Sequence, residues 1–259
     1  MMALFIFAVC LAASIIGGVC GIGGGVVIKP VLDLTGVMSV SAVSFLSGLT
    51  VLSMSLVSVF KNRKSNELEP QSSIPLGIGA AIGGVMGKQL FDTIKRTAHN
   101  DSMVGFVQAV LLGVMVAGTL AYVCVKARIA TKRVKHPALS SGIGLALGVC
   151  SSFLGIGGGP MNLAVMHYFF SMDTKHAAAN SLLVILLSQT ANLMLTLVRG
   201  TVPAFSWLTL AVMVTAGVTG GLISARLHKK LSVKTTDTLF KMLLVVIFLI
   251  CVYNAVSAL

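Results

Sequence analysis

The chain has 259 residues, of which 56% are hydrophobic and only 10% are charged, and its mean hydropathy is +0.98. Soluble domains carry about 25% charged residues, so this composition excludes an ordinary soluble fold and predicts an all-α, multi-pass membrane protein. The net charge of +12 does not predict a nucleic-acid partner, because the basic residues lie between apolar segments and not among exposed aromatic residues.

Eight apolar segments follow one another along the chain, and most reach the roughly 17–25 residues that a helix needs to cross the lipid bilayer. They cover residues 3–16, 37–60, 74–90, 103–125, 138–154, 177–198, 205–225 and 242–259. The five cysteines contain no C-x-x-C motif and lie in or beside these segments, so we expect buried free thiols. They are Cys10, Cys20, Cys124, Cys150 and Cys251.

The pentapeptide Gly-Ile-Gly-Gly-Gly occurs twice, at residues 21–25 and 155–159. A constant offset of 134 residues aligns the two copies and also aligns Ser47 with Ser181. The sequence therefore predicts two homologous repeats of four segments, each beginning with a glycine-broken helix. The repeats cover residues 1–125 and 138–259, and a basic linker covers residues 126–137.

The distribution of basic residues distinguishes two topologies. If every segment crosses the membrane, the two sides hold nine and ten of the 19 Lys and Arg residues, although such residues normally concentrate on the cytoplasmic side. If each broken segment instead turns back as a re-entrant hairpin, one side holds 14 and the other five. This favours six crossings and two hairpins, with both termini outside and the repeats inverted. Eight full crossings stay open, because the roughly 18 residues before each break span about 27 Å.

The glycine pentapeptides are expected to interrupt helices, since each glycine costs about 0.8–1 kcal/mol relative to alanine inside a helix. A helix that starts after such a break leaves its first backbone N–H groups unpaired at the positive end of the helix dipole, where anions bind. Corresponding breaks in two repeats indicate the central site of a transporter. The spaced pairs Gly83/Gly87 and Gly220/Ser224 indicate close helix packing instead.

Four polar residues inside the apolar segments, Ser47, Asn162, Asn180 and Ser181, either line a cavity or form hydrogen bonds between helices. The seven acidic residues lie at segment edges or in loops, so no carboxylate is expected within the membrane and a cationic substrate is disfavoured. Backbone N–H groups, Asn and Ser, with Lys29 and Lys175 near the mouths, suit an oxyanion. The predicted substrate-binding residues are Gly21, Gly23, Gly24, Gly25, Ser47, Gly155, Gly157, Gly158, Gly159, Pro160, Asn162, Asn180 and Ser181.

The doubled Gly-x-Gly-Gly-Gly, the segment 177–181 and the later Gly-Gly-x-x-Ser-Ala-Arg-Leu at residues 220–227 resemble the TauE/SafE sulfite exporter family over essentially the whole chain. The resemblance implies a small transporter of the bacterial-type inner membrane that moves sulfite, sulfoacetate or related organosulfonates. The family pattern, in which a proline follows the glycines, is complete at Gly21–Pro30. In the second copy Ala164 replaces this proline, which stands instead at Pro160.

The leading hypothesis is a secondary transporter for a sulfur-containing anion that works by alternating access around the paired breaks and is not an enzyme. Two alternatives are a membrane thiol-disulfide protein that uses Cys20 and Cys150, and a non-transporting membrane scaffold. No cofactor, no metal and no nucleic-acid partner are expected. The sequence leaves open whether H⁺ or Na⁺ drives transport and whether the protein forms a homodimer. We expect the copy at residues 155–160, with Asn162, to make the firmer contact with the anion.

Overall fold

The structure, a computed structural model, describes residues 2–63, 67–97, 101–154 and 159–257. Within these ranges all regular structure is helical, and seven of the helices are long and apolar enough to cross a membrane. The prediction of an all-α, multi-pass membrane protein is confirmed. The helices are α1 Met2–Cys20, α2 Gly25–Thr35, α3 Val40–Asn62, α4 Pro70–Thr97, α5 Asp101–Val125, α6 Pro137–Phe153, α7 Pro160–Phe170, α8 Thr174–Val198, α9 Trp207–Lys230 and α10 Val233–Ser257, with a 3₁₀ turn at Lys126–Arg128.

Each half of the chain has the same order of elements: a helix, the glycine pentapeptide, a short helix, and three long helices. The predicted broken segment is therefore two helices, α1 and α2 in the first half and α6 and α7 in the second. Both short helices have 11 residues, which corresponds to about 16 Å. The α1 helix is long enough to cross the membrane, whereas α6, with 17 residues, is shorter than the other candidates.

The chain turns back on itself at the first pentapeptide. The N–H groups of Ile22 and Gly23 both donate to the carbonyl of Gly17, at 2.9 and 3.2 Å. Gly24 packs so closely on α1 that an added Cβ would lie 3.2 Å from the carbonyl of Ala13. The α2 helix then shares a hydrophobic cluster with the first half of α1. Helices α1 and α2 thus form a hairpin.

The second short helix also returns toward the end from which its partner helix starts. The backbone N–H groups of Lys132 and Val134, just before α6, donate to the carbonyls of Tyr168 and Phe169 at the end of α7, at 2.7 and 2.8 Å. The last turn of α7 therefore lies beside the segment that precedes α6.

Side-chain contacts gather several loops at one end of the molecule. Glu67, between α3 and α4, contacts Lys175 at the start of α8 and His228 near the end of α9. Lys126, after α5, contacts Asp237 in the first turns of α10. These are the loops that the hairpin topology assigns to the side with 14 basic residues. We call this the basic end and the opposite one the far end.

Glycines allow very close contact between helices of different halves. Added Cβ atoms on three α4 glycines, four residues apart, would lie 1.9–2.3 Å from carbonyl oxygens of α6. The contacts are Gly79 to Ser141, Gly83 to Leu145 and Gly87 to Val149. In the same way Gly220 on α9 approaches Ser14, and Ser224 approaches Gly18 on α1. The prediction of close packing at Gly83/Gly87 and Gly220/Ser224 is confirmed.

Candidate functional site

The first glycine pentapeptide has a backbone that requires glycine. Gly21 and Gly23 have φ angles of 69° and 79°, in the left-handed region that side chains disfavour. A Cβ on Gly21 would lie 2.3 Å from the Cα of Ala178 on α8. Gly23 faces Val51 and Ile185, at 3.2 and 3.4 Å from the position of its missing Cβ. The tip of the first hairpin is therefore packed against α8.

The α2 helix begins at Gly25, directly after this turn. The N–H groups of Val27 and Ile28 donate to the carbonyl of Gly24, at 3.0 and 2.9 Å. The N–H groups of Gly24, Gly25 and Val26 have no acceptor in the described part of the chain, although all three residues are buried. The start of α2 thus has free donors at the positive end of its helix dipole.

The second pentapeptide is described only at its last residue, since Gly155, Gly157 and Gly158 lie outside the described residues. Gly159 is extended, with a φ of −145°, and Pro160 is the first residue of α7. Asn162 is buried and its Nδ2 donates to the Oγ of Ser181 at 3.3 Å. These two predicted site residues therefore meet, between α7 and α8.

The side-chain amide of Asn180 forms all its hydrogen bonds within the protein. Its Oδ1 accepts hydrogen bonds from the N–H of Glu69 at 2.8 Å and the Oγ of Ser73 at 2.7 Å. Its Nδ2 donates to the carbonyls of Glu67 and His176, both at 2.8 Å. With its amide fully paired, Asn180 holds α4 and α8 together at the basic end. Of its two predicted roles, the structure gives it the hydrogen bonds between helices.

A cavity of about 390 Å³ lies between the two halves, nearer the far end. Helices α3 and α4 supply its walls from the first half, and α6, α8 and the loop after α8 supply them from the second. None of the predicted site residues that the structure describes lines it. Buried Ser47 lies close to lining residues in sequence, and its Oγ donates to the carbonyl of Ser44 at 3.1 Å. The polar and charged lining residues are Ser41, Ser44, Lys88, Asp92, Ser152, Gln189, Asn192, Thr196 and Thr201.

Sequence reasoning missed both charged residues of this cavity. It gave Lys88 no role in a site although Lys88 lies within the third apolar segment, and it ended that segment at residue 90, before Asp92. The α4 helix continues to Thr97, so Lys88 and Asp92 both lie within its candidate membrane span, Pro70–Ile94. Asp92 lies two residues before the end of this span, at the edge of the segment, where the sequence placed the acidic residues. A lysine inside an apolar, glycine-rich helix was the available signal, because charged residues within such helices usually face a cavity.

Lys29 is not at a mouth, as the sequence suggested, but is 4% exposed. Its Nζ donates to the Oε1 of Gln108 at 2.8 Å and lies 3.6 Å from the carboxylate of Asp33. The Nε2 of Gln108 donates in turn to the carbonyl of Phe153, the last residue of α6, at 2.8 Å. This chain of hydrogen bonds connects the short helix of one hairpin to the long helix of the other.

The basic end is closed by an ionic cluster. The Glu67 carboxylate lies 3.2 Å from the Nζ of Lys175 and 3.2 Å from the Nε2 of His228, the latter without hydrogen-bond geometry. The Nδ1 of His228 donates to the carbonyl of Val19 near the end of α1, at 3.1 Å. Glu67 thus contacts α8 and α9 directly and is linked to α1 through His228. These contacts lie at the end of the molecule that the cavity does not reach.

Comparison with known proteins agrees with the family resemblance found in the sequence. The family described as Sulfite exporter TauE/SafE matches residues 6–253. The probable membrane transporter protein YunE of Bacillus subtilis (strain 168) is 23% identical over 275 residues, which cover 95% of this chain and 96% of that protein. No solved structure matches the chain. The protein is a multi-pass protein of the inner membrane, and it belongs to the sulfite exporter TauE/SafE family of membrane transporters.

Proposed function

We propose that this protein is a secondary transporter that moves a sulfur-containing anion, an organosulfonate such as sulfoacetate or a sulfite-like oxyanion, by alternating access. The observation that carries the proposal is the cavity between the two halves, which approaches the far end, while Glu67, Lys175 and His228 close the basic end. This is the arrangement that a carrier has in one of its two access states. The family description supports the sulfur chemistry.

The segments at the starts of α2 and α7 contact α8 at neighbouring positions, which lie closer to the basic end than the cavity does. Gly23 approaches Ile185, and Asn162 donates to Ser181 one turn earlier on the same helix. An anion that leaves the cavity toward the basic end would pass the start of α2, where buried N–H groups have no described acceptor. We propose that these groups replace part of its hydration shell on the way.

The orientation of the protein follows from the charge of its two ends. The loops gathered at the basic end carry most of the Lys and Arg residues, which favours the cytoplasmic side for this end. The cavity then faces the outside in this structure, and both chain termini lie on that side.

The two alternative functions gain no support. Cys20 is fully buried, and the five cysteines are free, although Cys124 is exposed and Cys150 half-buried, which corrects the expectation that all are buried. A scaffold needs neither an open polar cavity nor free helix N–H groups within the membrane.

Flux measurements in proteoliposomes test the proposal. We expect the purified protein to exchange ³⁵S-labelled sulfite or sulfoacetate across the vesicle membrane. The Gly24→Leu variant should be inserted and inactive, because a side chain there strikes α1 at Ala13 and covers the start of α2. Gly118→Leu is the matched control, because the space beside Gly118 is open. Full exchange by folded Gly24→Leu, or no exchange of any sulfur anion by the wild type, would contradict the proposal.

A further inference from the structure

The two charged residues that line the cavity have opposite sign. Lys88 and Asp92 both lie on α4, four residues apart, so about 6 Å of helix rise separates them. They form no direct ion pair: the Nζ of Lys88 donates to the Oγ1 of Thr196, and the Asp92 carboxylate acts on Lys88 only as a nearby charge. The cavity therefore presents a positive and a negative pole that do not neutralise each other by contact.

Several neutral polar groups of the cavity also have no partner within the described residues. Gln189 is only 7% exposed and makes no hydrogen bond there, and its Oε1 lies 3.1 Å from the position of a Cβ on Gly48. Asn192 donates to Ser152 at 2.9 Å, but its buried Oδ1 accepts no hydrogen bond, and neither does the buried Oγ of Ser44 form one. A buried polar group without a partner costs about 1–3 kcal/mol. The Gln189 amide is therefore available to a ligand in the cavity, whereas the Ser44 Oγ and the Asn192 Oδ1 are enclosed by protein.

The charges of the cavity restrict the class of that ligand. An anion with one negative group would pair with Lys88 but would lie close to the negative Asp92 carboxylate. In an anion with two negative groups, the second group would lie still closer to Asp92. A cation would leave Lys88 and the nearby charge of Arg199 uncompensated. A small molecule with an oxyanion at one end and an ammonium group at the other compensates both poles. The cavity volume of about 390 Å³ is ample for such a molecule.

We propose that the cavity binds a small zwitterion, with its oxyanion group at the ammonium of Lys88 and the amide Nε2 of Gln189, and its ammonium group at the carboxylate of Asp92. The inference rests on the proposed function, since it concerns the same cavity and keeps the sulfonate group. It changes the expected substrate from a net anion to an aminosulfonate, which has no net charge. It departs from sulfoacetate, whose sulfonate and carboxylate are both negative.

Thermal unfolding of the detergent-purified full-length protein tests this, with taurine, its carboxylate counterpart β-alanine, sulfite and sulfoacetate as probes, because a ligand that binds the folded state raises Tm. We expect taurine to raise Tm at the lowest concentration. Asp92→Asn should weaken the taurine effect about tenfold and improve that of sulfoacetate, since it removes the negative pole. Lys88→Gln should abolish both effects, and Lys88→Arg, which keeps the charge, should restore part of them. Lys234→Gln, exposed at the start of α10, is the control for a change of net charge.

The outcomes separate this inference from the proposed function. If sulfite or sulfoacetate raises Tm more than taurine and Asp92→Asn leaves that order unchanged, the zwitterion site is wrong and the sulfur-anion transporter stands. If β-alanine acts at lower concentration than taurine and both depend on Asp92, the zwitterion site stands and the preference for sulfur is wrong. If no probe shifts Tm of the wild type, both are wrong.

Discussion

The two ends of the interface between the halves contain similar residues but use them differently. At the basic end, Asn180 has all its hydrogen bonds made within the protein, and Glu67 contacts both Lys175 and His228. At the far end, the amide of Gln189 makes no hydrogen bond among the described residues, and Lys88 and Asp92 face a shared cavity without pairing. The fully paired amide of Asn180 holds helices together, whereas the amide of Gln189, which lines the cavity, is available to a ligand.

The comparison is sharpest along α8, which carries both kinds of asparagine. Asn180 and Asn192 lie on the same helix, 12 residues apart, and differ only in what surrounds them. The first is a structural residue and the second lines the cavity. The chemistry of a side chain inside a membrane helix therefore does not decide its role, and the number of its unmet hydrogen bonds does.

The largest difference should come from adding one methyl group at each end. Gly21→Ala places a Cβ 2.3 Å from the backbone of Ala178 and forces alanine into a left-handed conformation, which should cost about 4 kcal/mol or more. Gly48→Ala, in the cavity wall, meets only the flexible side chain of Gln189 at 3.1 Å and should fold normally. Thermal unfolding in detergent measures both. Equal losses of Tm would mean that Gly21 and Gly48 are equally closely packed, which would contradict the difference between the two ends.

Removing an asparagine side chain at each end gives the second contrast. Asn180→Ala leaves buried groups of α4 and α8 unpaired and should cost about 2–3 kcal/mol, whereas Asn192→Ala breaks one hydrogen bond and should cost about 1 kcal/mol. We also expect Asn180→Ala to loosen the basic end, so that Cys20, which is fully buried, reacts with maleimide in a Cys124→Ser, Cys150→Ser background. A Cys20 that stays unreactive would show that other contacts keep this end closed.

A smaller effect is expected from the ion pair at the basic end. Glu67 and Lys175 are 19% and 17% exposed, so their interaction should contribute about 1 kcal/mol. The measurement is a double-mutant cycle with Glu67→Gln and Lys175→Met, followed by thermal unfolding. Strict additivity of the two changes would exclude a coupling and leave His228 as the relevant partner of Glu67.

The smallest effect concerns the cap of α8. Burial raises the pKa of Asp173, but hydrogen bonds from His176 and Lys175 outweigh it and lower the pKa overall. The stabilisation by this carboxylate is thus present above about pH 4 and is lost as the pH falls through the lowered folded-state pKa. Asp173→Ala should cost about 0.5–1 kcal/mol at neutral pH and make no difference at strongly acidic pH. A pH-independent loss would contradict the capping role.

The sequence was sufficient for the fold because its signals are local. Apolar length predicted the crossing helices, and the glycine pentapeptides predicted both interruptions, since four glycines cost about 3–4 kcal/mol relative to alanine inside a helix. The cavity was not predictable in the same way. Lys88 lies within the apolar segment, but the sequence does not show that this side of α4 faces the second half. Asp92 belongs to the helix only because α4 extends seven residues beyond that segment, to Thr97. Likewise Asn180 was assigned to the site because its partners, at Glu67 and Ser73, are more than 100 residues away.

The glycine contacts of α4 have a consequence for how the protein is assembled. Helix α4 packs most closely on α6 and α8, and α9 packs most closely on α1 and α3, so each of these two bundles combines helices from both halves. A cut in the linker would therefore divide the helices of each bundle between the two fragments. A single half made alone would expose the glycine faces of α1 and α4 to lipid, because the helices that cover them, α9 and α6, belong to the other half.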